Sequence, residues 1–179
     1  MKTLLVTLIG LVVLAAGWLT YSAYAAEIPK VGALAPPITG TDQDGKEWKL
    51  ADAAGKSIVL LYFYPKDDTP GCTKEACGLR DRMDELKKDG VEVVGVSFDS
   101  AESHQKFIAK HNLNFRLLAD PDGKIVDAYG VRRAAGLKFA KRVSFLVGTD
   151  GKIVHVTDNG SADVHLTEMK EAVAKLTKH

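Results

Sequence analysis

Two nearly continuous apolar runs are the clearest structural signal in the chain. The first covers residues 57–64 and the second residues 91–98. A strand buried on both faces of a parallel sheet loses the alternation of apolar and polar residues that a half-exposed strand shows. The first run is therefore predicted to be a central strand. The second run, and a shorter one at residues 115–118, predict further strands.

Helical periodicity separates these strands. Over residues 73–88, apolar side chains recur at helical spacing, charged side chains lie mainly on the other face, and Gly90 follows as a stop signal. A single helix is therefore predicted over residues 73–88. Residues 103–111 and 166–176 have the same amphipathic character, and residues 121–131 predict a turn with a short helix.

Two hairpins complete the pattern. Asp44-Gly45 is a turn signal between two short arms, and the sequence Thr-Asp-Gly at 149–151 joins apolar strands at 143–147 and 152–156. Strands that alternate with helices, followed by a hairpin and a last helix, are typical of an α/β sandwich of thioredoxin type. We therefore predict a thioredoxin-like sandwich with a central mixed sheet, flanking helices and an N-terminal hairpin.

The first 26 residues differ from this pattern, because no charge occurs between Lys2 and Glu27. The sequence Ala-Tyr-Ala at 23–25 fits the small-x-small pattern of a signal-peptide cleavage site. The uncharged run also has the roughly 20 residues that a membrane span needs, so both a cleaved signal and a retained anchor at residues 4–26 stay open. We expect an exported protein, either periplasmic or anchored facing the periplasm, with one folded domain at residues 27–179.

The charge and histidine content of the chain indicate which classes of binding partner it lacks. The chain has 24 Lys and Arg against 23 Asp and Glu, without a basic block. Nucleic-acid binding requires clustered positive charge, so no nucleic-acid partner is predicted. The five histidines are scattered without ligand spacing and without neighbouring carboxylates in the sequence, so neither a metal nor another cofactor is predicted.

The only two cysteines, Cys72 and Cys77, follow the strand predicted at residues 57–64. Cys72 is expected near a helix N-terminus, where unpaired N–H groups and the helix dipole favour a thiolate over a thiol. On a regular helix, positions five residues apart have Cα atoms roughly 8.7 Å apart. A disulfide needs less than about 7 Å, so the two sulfurs can join only if the turn between them unwinds. The alternative is that Cys77 is a small buried hydrophobic residue.

The loop before Cys72 has the sequence PKDDTPG. Pro65 stiffens it, and Thr69 brings a hydroxyl within three residues of the cysteine, which suits a loop that holds a small ligand. The alternative is an ordinary strand-to-helix connection, which uses the same residue types. Lys66 and Asp67 are predicted to be solvated, and Asp68 is a candidate for orienting Thr69.

The sequence FYPKDDTPGCTKEACGLRD resembles the active-site signature of the peroxiredoxins, in particular of the bacterioferritin comigratory protein, or peroxiredoxin Q, subfamily. Pro65, Thr69 and Cys72 match the core of that signature. Cys77 matches the second cysteine found in many members of the subfamily. The resemblance extends from about Val31 to the C-terminal helix and leaves out the first 26 or so residues.

This resemblance implies reduction of hydrogen peroxide and organic hydroperoxides. It also implies a role for each matched residue: Cys72 as peroxidatic nucleophile, Cys77 as resolving thiol, Thr69 as hydrogen-bond partner of the peroxide, Pro65 as shield, and Arg142, ahead of the sequence Val-Ser-Phe, as the arginine that aligns the peroxide. If the strand at 143–147 runs antiparallel to the one at 57–64, Arg142 reaches the sulfur from across the sheet.

The leading hypothesis is a monomeric peroxidase that forms an intramolecular disulfide and is recycled by thioredoxin or a thioredoxin-like reductant. The alternative is an exported thiol-disulfide oxidoreductase acting on protein disulfides. Such enzymes use a C-x-x-C motif, whereas four residues separate the two cysteines here. A third possibility, a binding domain with a local disulfide, leaves Thr69 and Arg142 without roles.

Overall fold

The computed structural model describes residues 26–177, so the predicted export segment lies, but for its last residue, outside the described residues. No helix within the described range is long and apolar enough to cross a bilayer. Seven strands form one mixed sheet in the order β2-β1-β5-β4-β3-β6-β7. Their bounds are β1 Thr39–Asp42, β2 Glu47–Lys49, β3 Ile58–Phe63, β4 Val91–Ser97, β5 Arg116–Ala119, β6 Val143–Val147 and β7 Ile153–Asp158.

Helices cover both faces of this sheet. In chain order they are α1 Pro70–Arg80, α2 Met83–Lys88, α3 Ala101–His111, α4 Lys124–Ala128 and α5 Ala162–Thr177, and a 3-10 turn at Leu50–Ala53 follows β2. β1 and β2 form the predicted N-terminal hairpin, whose turn contains Gly45 at φ +77°. The predicted sandwich with a central mixed sheet is confirmed.

β3 is the central strand, as its apolar sequence predicts. It runs parallel to β4 and antiparallel to β6. Alternate residues serve opposite faces, since Val59, Leu61 and Phe63 belong to one apolar core whereas Leu60 and Tyr62 belong to the other. The β3–β6 register pairs Phe63 with Val143, which places the beginning of β6 beside the end of β3.

The single helix predicted over residues 73–88 is wrong, because the chain forms two helices there. α1 ends at Arg80, and Arg82 leaves helical geometry with φ −107° and ψ 4°. α1 packs against α5, whereas α2 packs against β4. The bend therefore lets two apolar faces contact different elements, a change of direction that apolar spacing alone does not reveal.

Candidate active site

The loop between β3 and α1 places Cys72 at the first turn of a helix. Thr69 is the N-cap residue with extended backbone, at φ −83° and ψ 149°, and Pro70 occupies the first helical position. Proline suits that position because its missing N–H has no helical partner to lose. Cys72 follows in the same turn and is 1% exposed. The sequence Thr-Pro-Gly-Cys thus fixes the sulfur near the positive end of the helix dipole.

Arg142 lies directly before β6 and reaches this sulfur across the sheet. Its Nη2 donates a hydrogen bond to Cys72 Sγ at 3.3 Å. The antiparallel β3–β6 register accounts for this geometry, because it brings the start of β6 to the edge where α1 begins. A guanidinium in this position stabilises negative charge that forms next to the sulfur.

Two further contacts orient the guanidinium. Arg142 Nε donates to the carbonyl of Gly160 at 3.1 Å, and Nη1 donates to Glu75 Oε2. A Cβ atom added to Gly71 would lie 3.0 Å from Nη2. Glycine at position 71 therefore leaves the space in which the guanidinium contacts Cys72.

Glu75 is a site residue that sequence reasoning missed. It lies on α1 and is only 1% exposed, and it pairs with Arg142. Burial raises the pKa of the Glu75 carboxyl from 4.5 to about 7, although the adjacent guanidinium acts in the opposite direction. One signal was available, because positions 72, 75, 76 and 79 follow the spacing of a buried helix face and Glu75 is the charged member of that stripe.

The structure does not bring the Thr69 hydroxyl to Cys72. Its Oγ1 donates to the carbonyl of Lys66 at 3.0 Å. Asp68 does not orient Thr69, so that prediction is wrong. Its carboxylate instead accepts hydrogen bonds from Lys110 at 2.7 Å and His111 at 2.8 Å.

Asp67 is buried, and the prediction that it is solvated is wrong. Its carboxylate accepts hydrogen bonds from Tyr64 Oη and Ser103 Oγ, both at 2.7 Å, and contacts His104 Nδ1 at 2.9 Å. Burial by itself would raise the pKa of Asp67, but the hydrogen bonds from His104, Ser103 and Tyr64 hold it below its usual value. The loop is thereby fixed to α3, and His104 has the carboxylate neighbour that its sequence position did not suggest.

Cys77 lies on the same unbroken helix as Cys72. Both cysteines are free, Cys72 being buried and Cys77 half-buried. Because α1 is helical from Pro70 to Arg80, the geometric separation of roughly 8.7 Å between their Cα atoms applies to this state. The structure therefore represents the helical, unbridged form of the pair.

An open cleft of about 400 Å³ lies beside the guanidinium, lined by residues that include Pro65, Arg142 and Gly160. This volume exceeds the roughly 30 Å³ that one water occupies, so the cleft has room for a small polar ligand. Within residues 26–177, no group of three or more His, Cys, Asp or Glu side chains is placed to hold a metal ion.

Comparison with known proteins identifies the family of the chain. The model of the AhpC/TSA family matches residues 31–156. Peroxiredoxin Bcp of Escherichia coli K12 is 47% identical over 141 residues, covering 76% of this chain and 90% of the relative. The chloroplastic peroxiredoxin Q of Sedum lineare is 41% identical over 128 residues, covering 72% and 68%.

Solved structures show the same fold. Peroxidoxin BcpB of Mycobacterium tuberculosis superposes with a TM-score of 0.75 at 33% identity, over 83% of this chain and 96% of that one. Peroxiredoxin Q of Xanthomonas campestris gives 0.74 at 29% identity, over 84% and 98%. The predicted thioredoxin-like fold is thus confirmed. The chain belongs to the AhpC/TSA family, and its Bcp and peroxiredoxin Q relatives identify it as an enzyme of the peroxiredoxin class.

Proposed function

We propose that this enzyme reduces hydrogen peroxide and organic hydroperoxides through a sulfenic acid on Cys72. The observation that supports this most strongly is the contact of 3.3 Å between Arg142 Nη2 and the sulfur at the start of α1. The thiolate attacks the terminal peroxide oxygen, so an S–O bond forms while the O–O bond breaks. The leaving oxygen takes up a proton and departs as water or an alcohol. Arg142 stabilises the negative charge that develops on that oxygen.

Pro65 and Thr69 are proposed to complete the peroxide site. Pro65 lies on the wall of the cleft beside Arg142, a position that suits a shield. The Thr69 hydroxyl, bonded to Lys66 in this structure, would rotate about its Cα–Cβ bond to meet the bound peroxide. Catalytic hydrogen bonds often form only when the substrate is present, so the free geometry is compatible with this role.

Cys77 is proposed to resolve the sulfenic acid. Its thiol attacks the oxidised sulfur, water leaves, and a Cys72–Cys77 disulfide forms. This step requires the turn between the two cysteines to unwind, because their separation on α1 exceeds the limit for a disulfide. A dithiol reductant, thioredoxin or a thioredoxin-like protein, would then reopen the bond by exchange.

The experiment that tests this mixes reduced protein with one equivalent of hydrogen peroxide and follows thiol loss. Rapid loss of two thiols supports the peroxidase. Cys77→Ser should accumulate a sulfenic acid at Cys72, and Cys72→Ser should react no faster than a free thiol. Slow oxidation together with fast reduction of insulin disulfides would instead favour the alternative oxidoreductase.

We also propose that residues 1–26 direct export and that the enzyme acts as a monomer. The uncharged run before Glu27 supports export. Outside the cytoplasm, the enzyme would need a thioredoxin-like electron donor in the same compartment. Mass spectrometry of the mature N-terminus and cell fractionation test the location, and sedimentation velocity tests the monomer. An intact N-terminus in the cytosolic fraction would overturn the export proposal.

A further inference from the structure

A second buried contact of Glu75 involves the carboxylate oxygen that Arg142 does not contact. Glu75 Oε1 has no hydrogen-bond partner among the described residues, and it lies 3.5 Å from Nδ1 of His165 on α5. His165 is itself 1% exposed. A buried carboxylate oxygen without a donor is costly, so this contact requires an explanation.

The hydrogen-bond partners of His165 indicate which of its ring nitrogens carries a proton. Nε2 lies 2.8 Å from the carbonyl of Asn159, which can only accept, so Nε2 carries a proton. Nδ1 lies 2.7 Å from Ser144 Oγ. Ser144 Oγ can donate to a bare Nδ1 or accept from a protonated one, so the ring nitrogen is paired in either form. The unpaired atom is Glu75 Oε1, and one proton, on the carboxyl or on Nδ1, removes the cost of an ionised oxygen there without a donor.

We propose that Glu75 and His165 hold one proton between them while α1 is helical, and that unwinding of α1 releases it. His165 is thus a positioning residue, which keeps Glu75 in place against Arg142 and, through Arg142, against Cys72. The inference rests on the disulfide cycle proposed above, and it adds a proton to the step that joins the two cysteines.

The position of Glu75 in the sequence couples it to that step. It lies between Cys72 and Cys77, within the segment that must lose its helical form before the sulfurs can meet. His165 belongs to α5, outside that segment. Unwinding therefore separates the pair, and the Glu75 carboxyl moves toward water, where an ionised carboxylate is favoured near neutral pH.

Other ionisable groups face the pair from each packed element. They are Cys72 on α1, Tyr62 on β3, Arg142 before β6, Asp158 at the end of β7 and Glu168 on α5. Arg142 disfavours the proton on both members, because it favours the ionised carboxylate and also lowers the pKa of His165, whereas Asp158 and Glu168 favour a protonated imidazole. Burial is the largest influence on the Glu75 carboxyl, and it opposes Arg142 there.

The direction of each pKa shift agrees with one bound proton. Burial raises the pKa of Glu75 to about 7 from an ordinary value of 4.5, and burial lowers the pKa of His165. A carboxyl whose pKa is raised in the helical form binds a proton that the unwound form has lost, between about pH 4.5 and pH 7. Rising pH in this window therefore favours the unwound, disulfide-bonded state.

The test measures the equilibrium between the Cys72–Cys77 disulfide and dithiothreitol at pH values from 5 to 7. Alkylation of the free thiols stops the exchange before the reduced fraction is determined. Any change in the protonation of the two thiols is common to the wild type and Glu75→Gln, so the ratio of their equilibrium constants depends on pH through the proton that Glu75 binds. Because the reduced wild-type enzyme binds a proton at Glu75 that the disulfide form has lost, its equilibrium constant for reduction should fall roughly 40-fold from pH 5 to pH 7, relative to the constant of Glu75→Gln. Glu75→Gln is isosteric with the protonated acid, which preserves the helix. Glu85→Gln, an exposed position on α2, is the matched control and should follow the wild type.

His165→Gln tests the second member of the pair. Glutamine can still donate to Asn159 and accept from Ser144, and burial and Arg142 still act on Glu75 in opposite directions, but the imidazole no longer offers a second place for the proton. The pH at which the equilibrium constant levels off should therefore fall. His155→Gln, on β7, is the matched control.

Two results would overturn the inference: a ratio of the wild-type constant to the Glu75→Gln constant that does not change with pH, or a His165→Gln variant with the wild-type profile. Absence of any Cys72–Cys77 disulfide after peroxide treatment would be different, because it would contradict the proposed function itself.

Discussion

Replacement of Arg142 by methionine separates the catalytic contribution of this residue from its structural one. Methionine preserves the apolar stem of the side chain but removes the donor 3.3 Å from Cys72 Sγ and the partner of Glu75. Two effects follow from the two contacts. The reacting sulfur loses the cation in contact with it, and a carboxyl that is 1% exposed is left without its guanidinium.

The magnitudes of these effects can be estimated separately. Loss of a positioned donor to developing negative charge lowers a rate by about 10²- to 10³-fold, so oxidation of Cys72 by peroxide should slow by roughly 100-fold. Breaking a buried ion pair by removal of one partner costs about 3 kcal/mol in the free energy of unfolding. Replacement of both partners by apolar groups of similar volume is often close to neutral.

The double variant Glu75→Met/Arg142→Met should therefore recover most of the unfolding free energy of the reduced protein while oxidation stays slow. Urea unfolding measures the first quantity at pH 8, and competition with a peroxidase of known rate measures the second. If the double variant regained the wild-type oxidation rate, Arg142 would act only through stability. A single variant with an unchanged oxidation rate would refute the role of Arg142 altogether.

Three further substitutions probe the surroundings of the site. Gly71→Ala should raise helix stability by up to about 1 kcal/mol; because its Cβ would lie 3.0 Å from Arg142 Nη2, it should also slow peroxide oxidation about tenfold. Tyr62→Phe removes a buried hydroxyl that has no hydrogen-bond partner within residues 26–177, so the unfolding free energy should rise by about 1 kcal/mol, and a loss instead would reveal a hidden donor or acceptor. Asp67→Asn weakens the contact with His104 and should cost about 2 kcal/mol at neutral pH. The pKa of Asp67 is lowered in the folded protein, so the full loss of unfolding free energy should be seen above pH 3.8. The loss should disappear as the pH falls through the lowered pKa, and urea unfolding at a series of acid pH values checks this.

The strands of this fold could be predicted from sequence because each is strongly apolar and bounded by turn residues. The run at residues 57–64 contains β3, and the predicted strand at 143–147 coincides with β6. The break between α1 and α2 could not be predicted, since Arg82 has no helix-breaking side chain. The bend results from tertiary packing, because the two helices contact different elements.

The cysteines and Arg142 could be recognised by their sequence signature, but their supporting residues could not. Glu75 is charged, and a charged residue is ordinarily expected on the solvated face of a helix, although its spacing from Cys72 matches the buried face. Asp67 is buried by Tyr64, Ser103 and His104, of which the last two are more than thirty positions away. Charged residues become buried when distant partners meet them, and only the folded chain shows those partners.

The measurement that most directly tests the central claim is amide hydrogen exchange of the peroxide-oxidised enzyme. In the reduced protein, α1 is hydrogen-bonded from its first turn, beginning with the 2.8 Å bond from Thr73 N to Thr69 O. Once the Cys72–Cys77 disulfide has formed, amides at 73–77 should lose their protection while those of β3 and α5 keep theirs. A disulfide-bonded enzyme whose α1 amides remain as protected as in the reduced protein would contradict the claim that this helix must unwind.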